Sequence, residues 1–371
     1  MIINRKILAL CLSICIIAGM LSGCGKSTQS SKEDPDKLSV VTTIFPYYDF
    51  VRQIAGDKVN LKMIVPACMD THSFEHTASD MISMSKADVL IYNGGGMESW
   101  IPQVIDAASN PQMIAEAMMD SVDTVVEEHV EGMQEERGHS HDDADGHENE
   151  QKGHINNRGK NYVNEDEKYS GSDTNKHNSD TKKTHNDNTK DEETEYDEHI
   201  WTSPANACKI VDKIAETLSR ADEKNANFYK KNADIYISKL KSIDAQFSDI
   251  VNEAPMHYLV FGDRFPLRYF VDEYGLDYSA AFAGCSSDTE PSADTIAFLI
   301  DKVKSEGVPV VLKIELTSSK VADSIAEATG TKVMTFYTCH NVTRKQFDQG
   351  VTYIDLMERN IDTLKKALGT N

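Results

Sequence analysis

Short apolar runs alternate with helix-compatible segments in two separate stretches of the chain, and this alternation restricts the fold more than any other feature. In the first stretch the predicted strands are 38–44, 60–65 and 89–93, and the predicted helices are 48–55, 79–86 and 100–107. In the second stretch the predicted strands are 258–261, 276–281, 308–314 and 332–336, and the predicted helices are 266–274, 292–306, 318–329 and 351–368. Strands that alternate with helices indicate parallel, doubly wound sheets. We therefore predict an α/β protein with an N-terminal lobe at 38–126 and a C-terminal lobe at 254–371.

The segment that joins the two lobes is rich in helix-forming residues. Residues 203–253 contain no glycine and only one proline, Pro204, which stands near the start, where a helix tolerates it. We predict that 199–253 completes the N-terminal lobe and then forms a long rigid helix between the lobes. Ligands of open α/β sheets bind outside the carboxyl ends of the strands, so a site in the cleft between the lobes is expected.

Residues 127–198 differ in composition from the rest of the chain. They hold 22 acidic and 9 basic side chains, a net charge of −13, and seven of the twelve histidines. With few large apolar residues, such a segment cannot bury enough surface to offset its ordering entropy, and we predict a disordered loop. The whole chain carries a formal charge of −22, which argues against a nucleic acid partner because that partner needs a positive field.

Two interpretations of this acidic histidine-rich loop stay open. As a solvated linker, its charge only keeps it expanded. Alternatively, its histidines and interspersed carboxylates form a weak, multi-site collector of metal ions beside the folded body. The histidines of such a collector are His139, His141, His147 and His154.

The first residues have the composition of a secretory signal. Arg5 and Lys6 precede an apolar run that ends in the sequence LSGC at 21–24, which is similar to a bacterial lipobox. A membrane-spanning anchor is the alternative, but a run of about fifteen residues is short for a hydrocarbon core of about 30 Å. We predict a lipoprotein signal peptide at 1–23, lipidation of Cys24 and a polar tether at 24–37. The protein is then anchored to the outer face of the cell membrane.

Four cysteines remain for the folded body: Cys68, Cys208, Cys285 and Cys339. Outside the cytosol a disulfide can persist. Cys285 and Cys339 both follow predicted strands of the C-terminal lobe, which favours that pair. The alternative is that all four are small buried apolar residues.

Three histidines outside the loop stand next to the predicted ends of elements. His72 follows a predicted strand, His340 follows the last predicted strand, and His199 lies at the entry to the connecting helix. Because residues at the carboxyl ends of strands from two lobes can face one cleft, we predict that these three side chains form a metal site.

Eight short motifs occur in an order and spacing that resemble one family. They are VTTIFP at 41–46, HSFE at 72–75, ADVLIYNG at 87–94, ESW at 98–100, HIW at 199–201, YGL at 274–276, TEPS at 289–292 and ATG at 328–330. The chain resembles the metal-binding lipoproteins of bacterial zinc and manganese ABC importers, the cluster A-I substrate-binding proteins. The resemblance covers nearly all of the chain after the leader. It implies two α/β lobes joined by a rigid helix, and one metal ion held between them for delivery to a membrane permease with its ATPase.

The resemblance also implies individual ligands. The first two family histidines fall on His72 and His199. The third ligand position has Asp263 as its nearest donor, and the fourth falls on His340. In the mechanism we predict, Trp201 and Phe74 form the wall of the site, and Glu75 is a partner that orients an imidazole.

The donor set favours zinc over manganese, because imidazole suits tetrahedral Zn²⁺ and Mn²⁺ prefers more oxygen donors.

Two other functions are considered besides metal transport. The pattern HSFEH at 72–76 matches the H-x-x-E-H sequence of inverted zinc peptidases, but that chemistry requires a regular helix, and a polar loop is predicted there. The second alternative function is that of a zinc-binding surface adhesin. No phosphate-binding loop motif occurs, so we do not expect ATP hydrolysis by this chain.

Overall fold

The N-terminal lobe is built on a four-stranded parallel sheet in the order β2-β1-β3-β4. We analysed a computed structural model, which describes residues 34–134, 195–286 and 290–370. The strands are β1 (Leu38–Thr42), β2 (Val59–Met63), β3 (Val89–Tyr92) and β4 (Ile114–Ala117). The helices are α1 (Phe45–Ala55), α2 (Ala78–Ser85) and α3 (Ile101–Asp106), and two 3₁₀ turns follow β3 and β4 at Gly96–Glu98 and Met118–Ser121.

The C-terminal lobe repeats this arrangement with a second parallel sheet in the order β6-β5-β7-β8. Its strands are β5 (Tyr258–Phe265), β6 (Asp277–Ala283), β7 (Val310–Lys313) and β8 (Lys332–Thr335). Its helices, numbered after the two connecting helices α4 and α5, are α6 (Arg268–Tyr274), α7 (Ala293–Glu306), α8 (Lys320–Thr329), α9 (Arg344–Asp348) and α10 (Tyr353–Ala367). The predicted fold class, two doubly wound parallel lobes, is confirmed.

The helical connection between the lobes consists of two helices. A 3₁₀ turn at Ile200–Thr202 leads into α4 (Pro204–Ala221), and a second turn at Glu223–Asn225 precedes α5 (Ala226–Glu253). The chain breaks at Asp222, whose carboxylate accepts hydrogen bonds from Asn225 (2.7 Å) and Tyr229 (2.7 Å). The predicted long helix between the lobes corresponds to α5, and the local carboxylate bonding at Asp222 separates it from α4 without a glycine or proline.

Helix α5 packs against both lobes through a continuous apolar core. Tyr236 lies 5.8 Å from Phe50 of α1, and Phe247 lies 5.1 Å from Phe270 of α6, measured between ring centroids. Phe270 in turn contacts Phe336, which follows β8. One buried cluster thus extends from the N-terminal sheet across α5 to the C-terminal sheet. We expect the shared core to restrict relative motion of the lobes.

Two elements were not predicted. Strand β4 has the sequence IAEA, and its residues are only partly buried at the sheet edge, so it lacks the apolar run of a central strand. Helix α9 has only five residues and none of them is buried, although Thr343 and Gln346 form a capping box at its start. Short elements with few buried residues show little apolar periodicity, so they are hard to recognise in the sequence.

The boundaries of the acidic loop are also corrected. Of the predicted disordered segment 127–198, the structure describes 127–134 and 195–198. Val126 pairs with Tyr196 in an isolated antiparallel bridge, and Asp197 and Glu198 are buried. Composition could not indicate this, because the Glu198 carboxylate accepts from the distant backbone N–H of Met97 and that of Asp197 from the backbone N–H of His199. The rest of the loop lies outside the described residues, as do the predicted signal peptide and Cys24.

In the described parts of the chain, no helix combines the length and apolar character needed to cross a bilayer.

Candidate metal centre

Three imidazoles converge where the carboxyl ends of the two sheets meet the entry to α4. His72 follows β2, His199 precedes the turn that leads into α4, and His340 follows β8. One ligand nitrogen from each residue lies within 4.8 Å of the other two. The ring centroid of His340 lies 5.4 Å from that of His72 and 5.5 Å from that of His199. The three histidines predicted from the sequence are thus brought together by the fold.

The spacing of the nitrogens suits a tetrahedral ion. The Nε2 atoms of His72 and His199 are 3.2 Å apart. Two nitrogens bound at 2.0–2.1 Å to one tetrahedral zinc ion are about 3.3 Å apart. These two imidazoles can therefore bind one ion with little movement of either ring.

His72 is held by a contact between the lobes. Its backbone N–H donates to Oδ1 of Asp70 (3.0 Å), and Oδ2 of Asp70 accepts from Nη2 of Arg264 (2.8 Å). Arg264 belongs to β5 of the C-terminal lobe, so this ion pair fixes the loop after β2 relative to the second sheet. We infer that the position of His72 depends on both lobes.

His199 is fully buried and is oriented by Asp197. The Asp197 Oδ1 atom accepts from the backbone N–H of His199 (2.8 Å) and lies 3.1 Å from its Nδ1. A carboxylate at Nδ1 keeps the proton on that nitrogen and leaves the Nε2 lone pair for a metal. Sequence reasoning missed this role, although the Asp-x-His spacing at 197–199 is a signal that could have indicated it.

His340 is positioned by the carboxylate of Glu315 and the indole of Trp201. Its backbone N–H donates to Oε1 of Glu315 (3.2 Å), and its ring contacts the hydroxyl of Thr71. The Trp201 ring lies 5.1 Å from the His340 ring and 5.6 Å from the His199 ring, and its Nε1 donates to the carbonyl of Thr338 (2.9 Å). The predicted place of Trp201 beside the imidazoles agrees with this geometry.

The surroundings keep two of the imidazoles neutral. Burial and the neighbouring His199 lower the pKa of His72 to about 3. Burial, His72 and His199 also hold the pKa of His340 well below its usual value. A neutral imidazole is the form that binds a metal, so these two ligands need to lose no proton at neutral pH.

These pKa shifts predict how acid affects the metal-free protein. In the unfolded chain both histidines bind a proton below pH of about 6.5, whereas in the folded chain His72 does so only near pH 3. Because the unfolded state then binds more protons, folding stability decreases as the pH is lowered, by up to about 1.4 kcal/mol per pH unit for each histidine. Urea unfolding from about pH 7.5 to about pH 5.5 measures this loss.

The double variant His72→Gln, His340→Gln should lose less stability over the same range. Glu98 and Glu273, whose pKa values burial raises to about 7, contribute a slope of opposite sign in both proteins and cancel in the comparison. Equal slopes in the two proteins would contradict the prediction.

Asp263 is not among the converging donors. Its Oδ2 accepts from the backbone N–H of Ile314 (3.1 Å) and from the hydroxyl of Thr317, and its Oδ1 accepts from the backbone N–H of Arg264 (2.9 Å). Burial raises its pKa in spite of these hydrogen bonds. The structure thus uses this carboxylate to join β5 to the end of β7, and we leave it out of the proposed ligand set.

Glu75 and the cysteine pair also differ from expectation. Glu75 is exposed and, among the described residues, receives no hydrogen bond from an imidazole, so Asp197 has the orienting role instead. Cys285 and Cys339 do not form the predicted disulfide with each other. Cys339 is fully buried, with its sulfur 4.0 Å from the carbonyl oxygen of Tyr337.

The loop histidines His139, His141, His147 and His154 lie outside the described residues.

Comparison with known proteins agrees with this geometry. The model of the ZnuA family, described as zinc-uptake complex component A, periplasmic, matches residues 40–367. The chain belongs to this family. Family membership confirms the resemblance to zinc-importer lipoproteins that the motifs indicated.

Two relatives illustrate the extent of the match. The high-affinity zinc uptake system protein ZnuA of Bacillus subtilis (strain 168) is 28% identical over 354 residues, which cover 94% of each chain. The zinc-binding lipoprotein AdcA of Streptococcus pneumoniae is 26% identical over 366 residues, which cover 98% of this chain and 61% of AdcA. The chain therefore corresponds to about three fifths of AdcA.

Solved structures have the same architecture. The metal-dependent lipoprotein YcdH from Bacillus subtilis superposes with a TM-score of 0.64 at 27% identity, covering 90% of this chain and 99% of that one. The Zn(II)-bound ZnuA-like domain of Streptococcus pneumoniae AdcA superposes with a TM-score of 0.63 at 24% identity. The match covers 90% of this chain and 99% of that domain and shows that the two share a fold.

Proposed function

We propose that the protein is the extracytoplasmic metal-binding component of an ABC importer, which captures Zn²⁺ and delivers it to a membrane permease that works with an ATPase. The observation that carries this proposal is the convergence of His72, His199 and His340 on one point between the lobes. The names of the zinc-uptake relatives support zinc as the transported ion.

Zinc is preferred to manganese because all three donors are imidazoles. Manganese suits carboxylate, carbonyl and water oxygens, and the one carboxylate predicted as a ligand, that of Asp263, is engaged elsewhere. Elemental analysis of protein purified without added metal should find zinc. Manganese without zinc would overturn this assignment.

A transport site must release its ion without loss of the fold, and this property separates transport from the adhesin alternative. The three histidines lie at the edge of a large apolar core that needs no ion to hold it together. Chelation should therefore leave the circular dichroism spectrum unchanged, and added zinc should bind again. Unfolding on chelation would indicate a structural zinc site, as a static surface protein would have.

The peptidase alternative conflicts with the local structure. Residues 72–76 form no helix, and His76 stacks on Trp100 at 4.6 Å between ring centroids, away from the other imidazoles. The two histidines of the pattern therefore cannot share one helix face, which that chemistry requires. No zinc-dependent peptide cleavage is expected, and cleavage that Glu75→Gln abolishes would contradict this view.

We propose that Cys24 carries a lipid that anchors the protein to the outer face of the cell membrane. The LSGC sequence at 21–24 supports this, and one relative is named a lipoprotein. Cys24→Ser should move the protein from the membrane fraction to the soluble extracytoplasmic fraction. An unchanged distribution would show that lipidation of Cys24 is not the anchor.

We further propose that the acidic histidine-rich loop collects zinc for the ordered site. Deletion of 138–190 should remove several weak zinc sites, because His139, His141, His147 and His154 go with it, and should leave one tight site. Zinc titration by calorimetry measures both classes. Loss of the tight site in the deletion variant would contradict this division of roles.

A further inference from the structure

A second group of potential metal ligands adjoins the three-histidine group. Within the described residues, donor atoms of His72, Glu198 and Cys285 also lie within 4.8 Å of one another. The two groups share His72. The second group contains an imidazole nitrogen, a carboxylate oxygen and a sulfur, which differs from the all-nitrogen set of the first group.

The fold builds the position of Glu198 from the backbone of the N-terminal lobe. Glu198 is buried, and its Oε1 accepts from the backbone N–H of Met97 (2.8 Å). A Cβ atom at Gly95 would lie 2.3 Å from the same oxygen, so glycine leaves room for the carboxylate in its present position. The carboxylate is thus held in place beside the cleft.

Cys285 is brought to the same point by the chain that leaves β6. Its backbone N–H donates to Oε1 of Glu127 (3.0 Å). A Cβ atom at the preceding Gly284 would lie 3.3 Å from Cε1 of His199 and 3.1 Å from the carbonyl oxygen of Phe265. Glycine therefore lets this segment pass directly beside the His199 ring and places the thiol next to the ligand cluster.

The electrostatic environment at this point favours a cation. Glu98 is buried near Glu198, and one oxygen of Glu98 has no hydrogen-bond partner among the described residues. Burial raises the pKa of Glu98 to about 7, and the charge of Glu198 adds to this effect. A divalent ion bound by Glu198 would relieve the repulsion between the two carboxylates.

We propose that His72, Glu198 and Cys285 form a second, sulfur-containing position for the transported ion, beside the three-histidine position. This inference rests on the proposed zinc-binding function. The Cys285 thiol releases its proton to solvent as the sulfur–metal bond forms, because the thiolate is the ligand form. Since both positions use His72, one ion moves between them by exchange of ligands around that imidazole.

The mixed donor set adds selectivity. Zinc accepts nitrogen, oxygen and thiolate ligands, whereas manganese suits oxygen donors. The sulfur-containing position therefore selects against manganese.

Cobalt substitution of the full-length protein tests the proposal, because Co²⁺ bound to thiolate shows a near-ultraviolet charge-transfer band that Co²⁺ bound only to imidazole and carboxylate lacks. We expect this band in the reduced native protein. Cys285→Ser should abolish it, and the matched control Cys208→Ser, which removes a half-buried thiol on α4, should retain it. His340→Ala should strengthen the band, because it disrupts only the three-histidine group and confines the ion beside Cys285.

The outcomes separate this inference from the proposed function. Bound cobalt without a charge-transfer band in both the native protein and His340→Ala would overturn the sulfur-containing position and leave the three-histidine site standing. Persistence of the band in Cys285→Ser would also overturn it. Failure of the native protein to bind cobalt at all would overturn both. Circular dichroism of Cys285→Ser and Cys285→Ala confirms that the variants are folded.

Discussion

His199→Ala should weaken tight zinc binding by more than about 100-fold, which exceeds the effect typical of losing a residue that only orients a ligand. His199 is fully buried, its Nε2 lies 3.2 Å from that of His72, and its ring adjoins both other imidazoles. The alanine removes one of the three imidazole donors of this group. Competition with a chelator strong enough to empty the weak loop sites measures the affinity of the tight site.

A graded series tests the reason for this effect. Asp197→Asn keeps the imidazole but replaces the carboxylate that fixes its Nδ1 proton, so its affinity should fall by about 10- to 100-fold. His257→Ala is the matched control, because its Nε2 pairs with the carbonyl of Val251 before the start of β5, at the opposite edge of the sheet from the site. Equal affinities of His199→Ala and His257→Ala would contradict the ligand assignment.

Asp49→Ala should lower the free energy of unfolding by several kcal/mol, because each buried donor left without its acceptor costs about 1–3 kcal/mol. The Asp49 carboxylate is fully buried in α1. It accepts from Arg52 Nη2 (2.6 Å), from the Tyr236 hydroxyl of α5 (3.2 Å) and from the backbone N–H of Tyr353 at the start of α10 (2.7 Å). The alanine leaves donors from three helices without this acceptor.

Urea unfolding of the metal-free protein measures this loss. Asp57→Ala is the matched control, because its side chain is 84% exposed and its one ion pair within the described ranges is with Lys58 at 3.6 Å. Its effect should stay within about 0.5 kcal/mol. If Asp49→Ala were as mild as the control, the carboxylate would not be what joins the N-terminal lobe to the connecting helix and the C-terminal lobe.

Most of the fold could be predicted from local patterns. The strands of both central sheets and the long helices follow from apolar periodicity, which is a property of neighbouring residues. The break at Asp222 was missed because side-chain hydrogen bonds from Asn225 and Tyr229 cause it. Strand β4 was missed because an edge strand needs only one partner and little apolar surface.

The candidate site could be predicted in part. His72, His199 and His340 each stand next to the end of an element, and topology places such residues at one edge of a sheet. The orienting carboxylate was assigned to Glu75 and the third family ligand position to Asp263, because sequence neighbours and family position were the only guides. The structure places Asp197 against His199 and occupies Asp263 with Thr317 and the backbone.

The sequence by itself determined the fold class, the family and the three histidines, because these depend on periodicity, motif order and residue type. Only the tertiary structure decided which carboxylates face the metal centre and which sulfur adjoins it. Asp197 and Glu198 come from a segment whose composition predicts disorder, yet both are buried beside the imidazoles. Cys285 reaches His72 from the far lobe. The physical reason is that a donor's role depends on hydrogen bonds and distances between segments far apart in the chain, which no local pattern contains.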